Sequence, residues 1–176
     1  MNPRDPLPTE EDGCFTEMTA FLTGERLSHP GCAHPLLAEV ALLISEQLSE
    51  SRRNELLDRV PDVIGTIARS PVVTAVLLDE LVRHRSTGQG REIVIGAWNR
   101  AREHASAGRL RRAWLSRQDR HLVRRGVPEL LVPLTQGVAR NRGESGLIAL
   151  MDDVLCAYRL AVASWCTTDS SAAKFE

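Results

Sequence analysis

Apolar positions along the chain recur at spacings of three and four between short polar breaks, and the period-two pattern of a strand is almost absent. Cys14, Phe15, Met18, Phe21 and Leu22 share one face of a first predicted helix, which Gly24 ends. Pro35 opens a second, with Leu36, Leu37, Val40, Leu43, Ile44 and Leu48 turned inward. Ser49 is placed to cap a short third helix through about Arg59. Ser70-Pro71 then forms an N-cap and first-turn pair for a helix carrying Val72, Val73, Val76, Leu77, Leu81 and Val82 towards a break at Thr87-Gly88-Gln89-Gly90. Its β-branched content suits a strand, but a run of about 12–16 residues without turn residues reads as a buried helix.

Ile93 to about Ala107 predicts another helix, and Leu110 to about Arg125 a strongly basic one. Gly126 and Pro128 punctuate the next, which contains Pro133 and ends near Asn141-Arg142-Gly143. The last helix has the clearest stripe, through Leu147, Leu150, Met151, Val154, Tyr158, Ala161 and Trp165. The expected fold is all-α: a single irregular bundle of about six to eight helices. Residues 1–11, with Pro3, Pro6 and Pro8 among charges, read as a flexible arm, 12–167 as one domain and 168–176 as a polar tail.

Composition agrees with one domain. The chain has 176 residues, of which 43% are hydrophobic, enough for a core without disulfide or metal staples. No apolar run approaches the roughly 18 residues of a membrane span, and the opening MNPRDPLPTEED has no apolar signal region. The expectation is a cytoplasmic protein with no membrane contact. Cys156 and Cys166 lie about 15 Å apart along one predicted helix, too far to bridge, so reduced thiols are expected. Of the 22 basic residues only Lys174 is a lysine, a bias that surface physics does not require and that a GC-rich coding sequence explains. The net charge of −1 hides segregation: 14 acids and 6 bases in residues 1–82, against 4 and 14 in residues 83–142.

Chemistry-bearing residues concentrate in DGCFTEMTAFLTGERLSHPGCAHPLLAE, residues 12–39. His29, Cys32 and His34 fall in one proline-bounded loop, and thiolate with imidazole suits zinc, with Cys14 or Glu17 as a further ligand. H-x2-C-x-H is not a paired zinc spacing, so no cofactor is expected and zinc is the one candidate. Glu17 flanks the first apolar stripe, where partial burial suits proton transfer with His29 and His34 as partners. The alternative is a plain connector whose histidines cap or pack.

The run Gly13-Cys14, Glu17, Gly24-Glu25, Ser28-His29-Pro30 and Cys32, followed by a helix and Val63-Ile64-Gly65-Thr66, resembles a group of uncharacterised actinobacterial proteins. Their openings read GC-x-x-E, then AGE, then SDHP, then a helix ending near a VGT-like segment. Here Thr23 replaces the alanine, and the aspartate between Ser28 and His29 is missing. The resemblance covers roughly residues 13–67 and implies a source and a domain start, and no activity comes with it.

Residues 100–125 hold nine arginines against Glu103 and Asp119. On a helix, Arg109, Arg112, Arg117, Arg120 and Arg124 fall within about 140° of arc, a face suited to sulfate, phosphate or carboxylate. Trp98 and Trp114 are the candidate stacking partners, but no nucleic-acid-binding motif accompanies them. No G-x-S-x-G, H-E-x-x-H, phosphate loop or dinucleotide fingerprint occurs. The leading expectation is an accessory or partner-binding helical subunit of a bacterial cytoplasmic complex, in specialised metabolism, working as a hetero-oligomer. The alternatives are an enzyme doing acid/base chemistry on an anionic small molecule with Glu17 and His29, and a basic-helix nucleic-acid binder, the least favoured of the three.

Overall fold

The computed structural model describes residues 17–20, 22, 31–66, 70–84, 90–108, 110–112, 114 and 127–172, without the side chains of 127, 128 and 165–172. The fold is all-α, with no strand among the described residues. Its elements are α1 (Pro35–Ser45), α2 (Glu50–Leu57), α3 (Val60–Val63), α4 (Pro71–Arg83), α5 (Arg91–Ser106) and α6 (Val127–Ala172). Residues 17–20 and 22 are also helical, with Met18 and Leu22 buried, whereas Cys14, Phe15 and Phe21 of that expected stripe lie outside the described residues.

Helix α6 is two arms, because Gly143 adopts φ 65°, ψ −166° between residues 142 and 144. That combination is open essentially to glycine alone, so the break expected near Asn141-Arg142-Gly143 is set by one residue's missing Cβ. Pro133 stays inside the first arm on its exposed side. The second arm runs on to Ala172, into the segment expected as a polar tail.

Helix α6 is the hub: α1 and α4 pack on it, and α5 packs on α4. Leu36, Leu37, Val40 and Ile44 of α1 meet Leu130, Leu131 and Leu134 of the first arm and Leu147, Leu150, Met151 and Val154 of the second in one buried cluster. Val73, Leu77, Leu78 and Leu81 of α4 complete it. A fully buried aliphatic side chain stabilises the fold by about 1.5–3 kcal/mol, so this cluster dominates the energetics.

Helices α2 and α3 add Leu56, Val60 and Val63 to the core, and polar contacts to the second arm of α6 supplement that burial. Ser49 heads α2 without capping it through its side chain, contrary to expectation. Its backbone N–H and hydroxyl both donate to the Glu144 carboxylate, at 2.7 and 3.0 Å. Arg52 donates to Ser145 Oγ at 2.8 Å. Arg59 grips Asp152 with two hydrogen bonds of 2.6 and 2.9 Å, and Arg159 reaches Asp62 at 2.5 Å. Ser145, Asp152 and Arg159 are spaced by seven, which keeps all three on one line along the helix. The hydrogen bonds from Arg59 to Asp152 raise the Arg59 pKa above its ordinary value, against a smaller opposing effect of burial.

Candidate functional site

The loop singled out by its histidines and cysteines is only partly described. Cys14 and His29 lie outside the described residues. Glu17 is half-buried in the helical stretch before it, and Cys32 is a half-buried thiol outside any disulfide. His34 is 2% exposed, and its Nδ1 accepts from the Leu36 N–H at 3.3 Å, capping α1. Its own backbone N–H donates to Thr66 Oγ1 at 2.9 Å, and the Thr66 hydroxyl donates in turn to Val63 O at 2.6 Å. Gly65 N–H to Cys32 O at 2.8 Å closes the same junction. The His34 ring tilts 57° against Tyr158, centroids 6.2 Å apart. Through these contacts His34 plays a structural part, joining the start of α1, the end of α3 and the second arm of α6. Among the described residues no group of three His, Cys, Asp or Glu side chains is arranged to hold a metal ion.

The arginine stripe is likewise mostly undescribed, since Arg109, Arg117, Arg120 and Arg124 lie outside. Arg112 is exposed and donates to Ala107 O at 2.8 Å, satisfying a carbonyl just past α5. Arg111 pairs with Glu103 through Nε at 3.0 Å and stacks on Trp114, 4.9 Å from the ring centroid. Trp114, 47% exposed, therefore already has an arginine as its stacking partner.

The described residues converge elsewhere, in an open cleft of about 360 Å³ between α4, α5 and the second arm of α6. Helix α4 contributes Val76, Asp79, Glu80 and Arg83, and α6 contributes Asp153, Cys156, Ala157 and Leu160. Each set has the spacing i, i+3, i+4, i+7, one continuous stripe of a helix, and Trp98 of α5 closes the third side. These stripes flank the buried ones: Leu77 and Leu81, and Val154, Tyr158 and Ala161, point into the core. The cleft exists because the neighbouring stripes are too polar, or too short in the side chain, to close over it.

Its charges are already organised. Arg83 is shared between Asp79 at 3.0 Å and Glu80 at 3.1 Å. His84, the C-cap of α4, holds Nε2 3.4 Å from both Glu80 Oε1 and Asp153 Oδ2. With its proton on Nε2, the imidazole ties α4 to α6 at one end of the cleft. Leu160 stands 64% exposed on one wall, and Cys156 offers an exposed free thiol one turn before it. Asp152 and Asp153 are adjacent on the second arm of α6, where successive side chains point about 100° apart. Both are exposed, and they serve different neighbours, Arg59 and His84. The signal that would have found the cleft is the shared spacing V-x2-D-E-x2-R and D-x2-C-A-x2-L, each beside a core stripe.

The class so defined is a helical protein with an open cleft along its hub helix, lined by three carboxylates, one guanidinium and the apolar side chains of Val76, Trp98, Ala157 and Leu160. Comparison with known protein families, curated proteins and solved structures finds no match. No described helix is long and apolar enough to cross a membrane.

Proposed function

We propose that this chain is a partner-binding helical subunit of a bacterial complex and that the cleft between α4, α5 and α6 is its docking surface. One observation carries the reading. Packing buries nearly the whole apolar stripe of α4 and of the second arm, yet leaves Leu160 exposed beside Trp98, Val76 and a free thiol in an open groove. Leu160 is one of five large exposed hydrophobic side chains among the described residues, and the one that lines this concave surface, where Val76, Trp98 and Ala157 add apolar area for a partner to cover. A cytoplasmic hetero-oligomer, and kinship with the actinobacterial group that residues 13–67 resemble, belong to the same proposal.

Cys156 makes the test direct. A thiol-reactive photocrosslinker placed there in the full chain, with Cys14, Cys32 and Cys166 replaced by serine, followed by purification from the native host, is expected to trap one protein in stoichiometric amount. Sedimentation of the complex should give a mass above that of the chain alone. A chain that sediments as a monomer and yields no stoichiometric adduct at Cys156 overturns the reading.

A further inference from the structure

We infer that the occupant of the cleft is a basic amphipathic helix of the partner, which lays aliphatic side chains against Trp98 and Leu160 and directs a lysine or arginine between Asp79 and Asp153. This rests on the docking reading above and adds the chemistry of what docks. Two helical stripes facing across an open groove, with a tryptophan on the third side, present the shape that accepts a helix anchored at i, i+3, i+4 and i+7.

Charge decides which kind of helix. The lining holds three carboxylates, Asp79, Glu80 and Asp153, against one guanidinium, Arg83. Arg83 is spent on Asp79 and Glu80 together, and His84 at the end of the cleft bridges Glu80 and Asp153. The lining together with His84 is therefore net negative whether or not the imidazole is protonated. Asp153, 53% exposed, and Asp79, 40% exposed, have open faces towards the groove where a cation is favoured and a carboxylate repelled.

Openness decides between a peptide and a small amine. A small-molecule pocket encloses about 70–90% of its ligand's surface. This groove is open to solvent, with Leu160 64% exposed on one wall. A helix gains its affinity by covering such a wall, and a small cation does not.

The test titrates the full chain against two fluorescent model peptides of about 18 residues, roughly five helical turns, with identical leucine positions and either lysine or glutamate elsewhere. Anisotropy is expected to show the lysine peptide binding at least about tenfold more tightly, by a margin that shrinks as salt shortens the screening length. Asp153→Asn and Leu160→Ser change exposed side chains, so circular dichroism should confirm that both remain folded. Each should weaken the lysine peptide by about threefold or more. Equal affinity for the two peptides, or indifference to both substitutions, overturns the inference. So does complete displacement of the peptide by spermidine at equal total charge, which would assign the cleft to a small amine. So does sedimentation showing that the chain's occupant is a second copy of itself. If the peptides fail while Cys156 still traps a host protein, docking stands and the basic helix falls. If the lysine peptide binds but Cys156 traps nothing, the docking reading falls.

Discussion

His34 shows how one residue type serves either chemistry or architecture according to where its lone pair points. Its Nδ1 is committed to the Leu36 N–H and its backbone to Thr66, so the ring works as a cap inside a buried junction. Replacing it by alanine removes a cap worth about 1 kcal/mol and opens a cavity beside Tyr158, for a total loss of about 2–4 kcal/mol. Asparagine, whose side-chain oxygen can accept the same hydrogen bond, should recover about 1 kcal/mol of that. Urea denaturation of His34→Ala and His34→Asn distinguishes the two contributions. Equal midpoints for the variants would mean that the cap contributes nothing.

Among elements, α1 and α4 are held mainly by burial, whereas α2 and α3 add a polar seam to the burial of Leu56, Val60 and Val63, and core and seam respond differently to substitution. Leu147, fully buried, should cost about 2–5 kcal/mol as alanine, while Leu160→Ser should stay within about 0.5 kcal/mol, because its side chain is mostly outside. Thermal melts of the two variants should separate clearly. For the seam, a double-mutant cycle on Arg59 and Asp152 should give a coupling of about 0.5–1 kcal/mol, reduced by salt, since both side chains are partly exposed. The sign of the pH dependence follows from the raised Arg59 pKa. Stability from that shift is fully present below the unfolded pKa and is lost only as pH rises through the folded value. From the arginine the coupling should therefore be flat between about pH 6 and 9.

Helix boundaries were legible in the sequence where a single backbone property fixes them. Pro35, Ser70-Pro71, Gly90 with φ 103° and Gly143 each mark an end that any neighbour would respect. The cleft was not legible in the same way. Asp79 and Glu80 read as the polar flank of one helix and Asp153 as that of another. They become a site only when packing brings together two stripes more than seventy positions apart.

At the scale of the whole molecule, charge segregation along the chain does not map simply onto its surface. Arg52 and Arg59, from the acidic first half, bind the terminal arm, and Asp62 of that half takes Arg159 from it. The described seam thus joins residues 49–62 to residues 144–159, and the basic middle segment lies outside it.

That seam also fixes an order of events during synthesis. Its partners are separated by 93 to 97 residues, and Leu147, Leu150, Met151 and Val154 of the core come from the same late arm. A ribosome-bound chain that has emerged only to Gly143 holds α1, α2, α4 and the first arm of α6 without the second arm and its share of the core. Nascent chains stalled at that length should lose residues 49–63 to protease within the time that released, full-length protein resists it. Folding must wait for the second arm of α6, and until then the early helices depend on whatever shelters unfinished chains.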